Sequence, residues 1–377
     1  MRIAINTFPL SSKLGMAGSG RYILGLAQGL SSINHSHEIY LLCNKDNMGL
    51  LSFNKHKKVC CGKLTQIRPT RLFWEQSLLP LYLGRLKIDV LHSPVFVSPL
   101  FLSCFSVVTI FDTTLFSFPK QHTIIKRLYF TKFIPHTVKK AARIITISES
   151  SKKDIVNILK VKPERVIVTY MGVDHKVFYP TSGASQKIER KYGIASPFIL
   201  YVGKIEPRKN LASLVKAYHR IRSHYRSWKL VIAGSKGWGF QEVFATVAKL
   251  GLESEVLFTG YVPEEDLPCL YSAAELFVYP SSYEGFGIPL LEAMACGTPV
   301  ITSNISSLPE VVGDAGILVN PTDIDELAFA IQSVLNSESL QKDMKFKGLK
   351  RAKLFTWEET ARRTLQVYEE VYRERKT

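Results

Sequence analysis

The 377-residue chain lacks several features that would narrow its chemistry quickly. Its six cysteines, at 43, 60, 61, 104, 269 and 296, show no metal-ligand spacing, and the adjacent Cys60-Cys61 pair is no disulfide framework for a chain of this size. Reduced thiols in a cytoplasmic protein are the simplest expectation. The opening "MRIAINTFPL" has no sustained apolar core, because Asn6 and Thr7 interrupt it, so no signal peptide is expected. From Val90 to Phe111 there is no Asp, Glu, Lys or Arg, but Pro94 and Pro99 favour strand, loop, strand over a membrane-spanning helix. Neither a solenoid repeat nor a low-complexity segment is present.

Acid is scarce in one half only. Residues 1–180 carry 25 Lys/Arg against nine Asp/Glu, whereas 181–377 carry 24 against 23, so almost the whole net charge of +17 sits in the first half. An anionic partner for that half, either nucleic acid or an acidic membrane surface, would account for this, and so would a solvated basic face that aids solubility. The lysines are scattered and match no nucleic-acid-binding module, so nucleic acid is not the expected partner.

What is present points to an α/β architecture. The length exceeds what one core usually supports, and short β-rich runs alternate with helical patterns throughout. "RIAIN", "EIYLLCN", "DVLHSP", "VVTIF", "RIITIS" and "RVIVTYMG" mark the first half; "FILYVG", "KLVIAG", "EVLFTG", "LFVYPSS", "PVITSN" and "GILVN" mark the second. Two doubly wound domains are expected, 1–178 and 179–357, with polar residues 179–193 as linker. A last helix over about 358–377, capped by Thr356 and Glu359, would pack back on the first domain.

Three stretches carry candidate chemistry. In "SSYEGFGIPLLEAMACGTPV", residues 281–300, a strand gives way to a loop holding Glu284 and then to a helix starting near Pro289. Amides at that helix start suit a phosphate, and the Glu292 carboxylate suits a ribose diol, with Glu284 placed to do the same for a second sugar. Taken alone, Glu292 could equally complement the helix dipole and Glu284 cap a turn. "LYVGKIEPRKN" places Gly203, Lys204, Arg208 and Lys209 after a strand, as a diphosphate would need or as a solvated basic loop would show. Gly15, Gly18 and Gly20 precede a helix where backbone could approach a phosphate. A dinucleotide-dependent oxidoreductase would need an acid after the second strand, where only Asp46 stands in a turn-like stretch.

Together "EGFGIPLLE", "VGKIEPRKN", "CGTPVITSNISSLPEVVGDAGILVNP", "VTYMGVDHKVFYP" and "WEQSLLPLYL" closely resemble the retaining nucleotide-sugar glycosyltransferases of family 4 (group 1), especially bacterial mannosyltransferases of O-antigen synthesis. The resemblance implies a GT-B fold, two Rossmann-like domains facing a cleft, the first binding acceptor and the second donor. It implies Glu292 on the donor ribose, Glu284 on the transferred sugar, and the backbone of Phe286, Gly287, Ile288, Pro289 and Leu290 on sugar and phosphate. Arg208 and Lys209 would neutralise the diphosphate, with Gly203 and Lys204 beside them, Val262 by the base, and Gly18 and Gly20 near the donor phosphate. Many relatives carry a histidine where this chain has Phe111, which leaves His92, Asp112 and Ser148 as candidate acceptor or sugar contacts.

The expected donor is GDP-mannose, with UDP-sugars, dTDP-rhamnose or epimerase chemistry as alternatives. The expected acceptor is a lipid-linked glycan at the inner leaflet, with an anionic membrane surface holding the basic domain. No cofactor or metal is expected.

Overall fold

Runs such as "RIAIN" and "FILYV" lack polar alternation, which suits strands buried on both faces of a parallel sheet. The computed structural model describes residues 1–10, 18–53, 55–118 and 123–374. β1 (Arg2–Asn6), β2 (Glu38–Cys43), β3 (Lys57–Cys60), β4 (Val90–Ser93), β5 (Phe105–Thr109), β6 (Arg143–Thr146) and β7 (Val166–Val168) form one sheet in the order β3-β2-β1-β4-β5-β6-β7. β8 (Phe198–Val202), β9 (Lys229–Ala233), β10 (Val256–Gly260), β11 (Leu276–Tyr279), β12 (Val300–Ser303) and β13 (Ile317–Val319) form a second, ordered β10-β9-β8-β11-β12-β13. Every pairing is parallel. Strand order therefore reverses between β1 and β4 in one sheet and between β8 and β11 in the other, the position where doubly wound folds place ligands.

The chain divides into two units, Met1–Gly172 with Thr356–Thr377, and Val173–Phe355. The stretch read as a linker is largely structured: Ala184–Tyr192 is a helix against the helix Leu267–Ala273. Phe178, Ala184 and Ile188 are buried there, and Phe178 packs edge-on to Tyr271 with ring centroids 6.3 Å apart. Only two apolar side chains are needed to seat a helix this short, so its polar composition hid it.

The last helix, Trp357–Arg373, lies with the first unit. The Thr356 hydroxyl caps it by accepting from the Glu359 amide at 3.2 Å. It packs on the helix Gly18–Ser32 through glycines: a Cβ at Gly25 would stand 2.2 Å from the Trp357 ring, and one at Gly29 would stand 2.1 Å from the Trp357 carbonyl oxygen. Ala361, Leu365 and Tyr368 complete its buried face.

β3 had no expectation behind it. Its "KKVC" is an edge strand with two exposed lysines, the charge-protected kind that carries no hydrophobic alternation.

Candidate functional site

β8 and β11 pair directly, so the loops that follow them are neighbours. The loop after β8 forms a short turn at Pro207–Lys209. The loop after β11 carries Glu284 and leads to the helix Ile288–Ala295, begun by Gly287 at φ +113° with Pro289 in the first turn. That φ lies where only glycine is comfortable, and a Cβ would also stand 3.1 Å from Leu308.

Three of the expected side chains meet here. The Lys209 ammonium donates to Glu284 Oε1 at 2.5 Å, and Arg208 Nη1 lies 2.9 Å from Glu284 Oε2. Lys209 and Glu284 are only 6% and 8% exposed. Burial works to raise the Glu284 pKa, but the charges of Lys209 and Arg208 outweigh it and hold the carboxyl at about 2. Glu284 is therefore ionised at neutral pH, with Arg208 raised by the same pairing against the pull of burial.

Further groups fix the triad. The Tyr279 hydroxyl accepts from Lys209 at 2.6 Å and donates to Glu284 Oε1 at 3.0 Å. Burial, then the Glu284 charge, push the phenol well above its ordinary range, so it keeps the proton that it donates. Glu206 accepts from Arg208 Nη2 at 2.9 Å, and the Tyr283 carbonyl from Arg208 Nη1 at 2.6 Å. Ser306 and Ser307 donate to the Glu284 carbonyl at 2.5 and 2.9 Å, which anchors the loop. Two cations and two carboxylates leave this group formally neutral.

Glu292 lies one turn into the helix Ile288–Ala295, 1% exposed, with Oε2 accepting from the Tyr271 hydroxyl at 2.8 Å. Tyr279, Tyr271, Glu206 and Ser307 were not expected. A tyrosine closing an apolar strand reads as core, and the only available signal for Glu206 was its place in "EPRK".

Other expected residues fall differently. Leu290 is buried and its amide is spent on the Gly287 carbonyl at 3.0 Å, so it offers no donor to a ligand. Gly203 directly follows β8 with its amide on the Ala233 carbonyl at 2.8 Å. Lys204 is exposed and pairs with no acid among the described residues. Phe286 turns its ring into the interior, edge-on to Phe355 at 6.0 Å, while Ile288 and Pro289 are half-buried and Val262 is buried beyond β10. A cavity of about 580 Å³ opens at the ends of β9 and β10, lined by Gly234, Lys236, Phe244, Thr259 and Gly260 among others.

In the first unit, Gly18 opens its helix with free space around it and Gly20 is buried within the first turn; Gly15 lies outside the described residues. His92 is not a ligand contact. It is fully buried, with Nδ1 2.6 Å from the Tyr368 hydroxyl and Nε2 2.8 Å from Thr109 Oγ1, and burial pushes its pKa down to about 3. It ties the last helix to β4 and β5. Ser148 is likewise structural: buried, it caps the helix Glu149–Leu159 by accepting from the Ser151 amide at 3.0 Å. Asp112 is half-buried and accepts from the Thr114 amide and hydroxyl at 2.9 and 2.6 Å. Phe111 packs edge-on to Tyr22 at 5.2 Å.

Comparison with known proteins converges on one family. The family Glycosyl transferases group 1 matches residues 185–351, and Glycosyltransferase Family 4 matches 16–177. The O-antigen chain mannosyltransferase B of Escherichia coli is 32% identical over 98% of this chain and 99% of its own. The MMP alpha-(1->4)-mannosyltransferase of Mycolicibacterium hassiacum is 32% identical over 65% of this chain and 58% of its own. Among solved structures, sucrose-phosphate synthase from Thermosynechococcus elongatus aligns with a TM-score of 0.77 over 99% of this chain and 100% of that one, at 22% identity, a likeness of fold. The chain belongs to the group 1, family 4 glycosyltransferases, and its two doubly wound sheets are those of the GT-B fold.

Proposed function

We propose that the protein transfers mannose from GDP-mannose, with retention at the anomeric carbon, to a lipid-linked glycan in bacterial surface-polysaccharide synthesis. The observation that carries the chemical reading is the Arg208–Lys209–Glu284 triad, assembled from both sides of a strand-order reversal. The mannosyl reading draws on the E. coli O-antigen chain mannosyltransferase B, similar over nearly the whole chain.

In this scheme the bond from the anomeric carbon to the β-phosphate oxygen breaks while the acceptor oxygen bonds to the same face of that carbon. The acceptor proton passes to the departing phosphate. Negative charge grows on the diphosphate, and Arg208 and Lys209 meet it from positions already fixed by Tyr279, Glu206 and Glu284, so little reorganisation is needed. Glu284, ionised throughout the neutral range, accepts from hydroxyls of the transferred sugar. Glu292 holds the ribose, with Tyr271 setting the orientation of its carboxylate. The amides of Gly287 and Ile288 face phosphate at the helix start. Two fixed cations take the part that a metal plays elsewhere, so transfer proceeds without one, and chelators leave the rate unchanged.

Calorimetric titration with GDP, UDP, ADP and dTDP tests the donor, with Glu292→Ala as control. Tight binding of GDP alone, lost in the variant, is the expected outcome. Preference for another nucleotide would replace GDP-mannose and keep the mechanism; binding of none would end the donor reading.

A further inference from the structure

Ser148, Asp323, Ser337 and Thr356 each stand before a helix and accept from the amide three residues on, at 2.9–3.2 Å. Ser307 stands in the same place before the helix Leu308–Val312 and makes no such bond. Its hydroxyl is fully buried and turns back instead, 2.9 Å from both the Glu284 and the Phe286 carbonyl oxygens, with its one proton shared between them. Ser306 precedes it at φ +58°, a left-handed conformation uncommon for a residue with a side chain. In that conformation the Ser306 hydroxyl donates to the Glu284 carbonyl at 2.5 Å and accepts from the Glu284 amide at 3.2 Å.

β12 pairs with β11 on the side away from β8, so the segment after β12 reaches the Glu284 loop from the flank opposite Arg208 and Lys209. Arg208 and Lys209 take the Glu284 carboxylate, whereas Ser306 and Ser307 take the backbone. In a trans peptide the carbonyl and the following N–H share a plane and point opposite ways. The Phe286–Gly287 bond is trans, so holding the Phe286 carbonyl on Ser307 aims the Gly287 N–H away from Ser307. Leu308 backs the same glycine, where a Cβ would stand 3.1 Å from its side chain.

We propose that Ser307 is a positioning residue for sugar transfer: its hydroxyl, by holding two carbonyls, sets the Gly287 amide towards the donor diphosphate and fixes the Glu284 backbone beneath the carboxylate that takes the sugar. The inference deepens the donor reading and rests on it. Alanine in this place would take the hydrogen-bond donor from both carbonyls at once and free the peptide planes on either side of Phe286 to rotate. A serine that merely capped its own helix would stabilise the fold without regard to what the donor carries. Ser307 acts through Glu284 and Gly287, so its effect should scale with how much of the donor reaches those two residues.

Calorimetry of the full-length protein and of Ser307→Ala with GMP, GDP and GDP-mannose separates positioning from stability. The loss of affinity should grow along that series, from less than about twofold for GMP to about three- to tenfold for GDP-mannose, the range of one net hydrogen bond. Ser307→Thr, which keeps the hydroxyl, should return most of the GDP-mannose affinity. Wild-type affinities in Ser307→Ala, an equal loss for all three ligands, or no recovery in a Ser307→Thr protein that still binds GMP would overturn the proposal. If the unaltered protein prefers another nucleotide, the same series built on that nucleotide carries the test. If it binds none, the donor reading falls and this inference with it; a flat series in a protein that does bind overturns the inference alone.

Discussion

The Lys209 ammonium and the Glu284 carboxylate meet at 2.5 Å, nearly out of reach of solvent, on loops leaving adjacent strands. Each charge is held in the interior chiefly by the other. Removing one partner from such a pair leaves an uncompensated buried charge, whereas removing both need not. Lys209→Ala should therefore lower turnover at least about a hundredfold and stability by about 3–5 kcal/mol. Lys209→Met/Glu284→Gln should regain most of that stability and none of the turnover. Donor-saturated rates and denaturant midpoints for the three proteins check this; near-normal turnover in Lys209→Ala would refute the role of the ammonium.

Acid should act through the same carboxylate. The folded-state pKa of Glu284 is depressed to about 2, so its contribution is complete above the ordinary glutamate value and disappears as pH falls through the range down to about 2. The size is on the order of 3 kcal/mol. In Glu284→Gln that component of the acid-induced loss should be missing. Equal slopes of stability against pH below 4.5 in both proteins would contradict it.

Tyr271→Phe tests the support behind the ribose glutamate. It deletes one hydrogen bond to Glu292 without changing the ring, so nucleotide affinity should drop about three- to tenfold, the scale of a single net hydrogen bond. Melting temperature should move little. Calorimetry with the preferred nucleotide measures it, and unchanged affinity would mean that Glu292 needs no such orientation.

Gly29→Leu should damage the first unit selectively. No side chain fits where the Trp357 carbonyl stands 2.1 Å from the added Cβ, so the last helix must shift. The expected cost is about 1–3 kcal/mol or more, read as faster amide exchange over 18–32 and 357–373 with residues 198–303 unaffected. Uniform exchange across both units would argue against so local an effect.

Legibility followed burial. Strands such as "RIAIN" and "KLVIAG" were plain in the sequence because both faces are covered and the apolar run is unbroken, whereas "KKVC" is an exposed edge and left no pattern. Arg208, Lys209 and Glu284 could be nominated by residue type and by their places after strands. That they would bind one another across 75 positions could not, since it depends on β8 pairing with β11. Tyr279 was hidden because the hydroxyl that bridges Lys209 and Glu284 sits on a ring that packs as core. Ser148 was misjudged although its signal was available: a serine three residues before Ser151 at a helix start is a cap.

The last helix also sets an order on biosynthesis. Residues 173–355 are continuous, so the second unit can finish folding as soon as they emerge from the ribosome. The first unit, translated earlier, must wait with the groove at Gly25 and Gly29 open until Trp357–Arg373 arrives. A stop codon at any position between 356 and 366 would thus yield a chain whose later-made half is whole and whose earlier-made half is not.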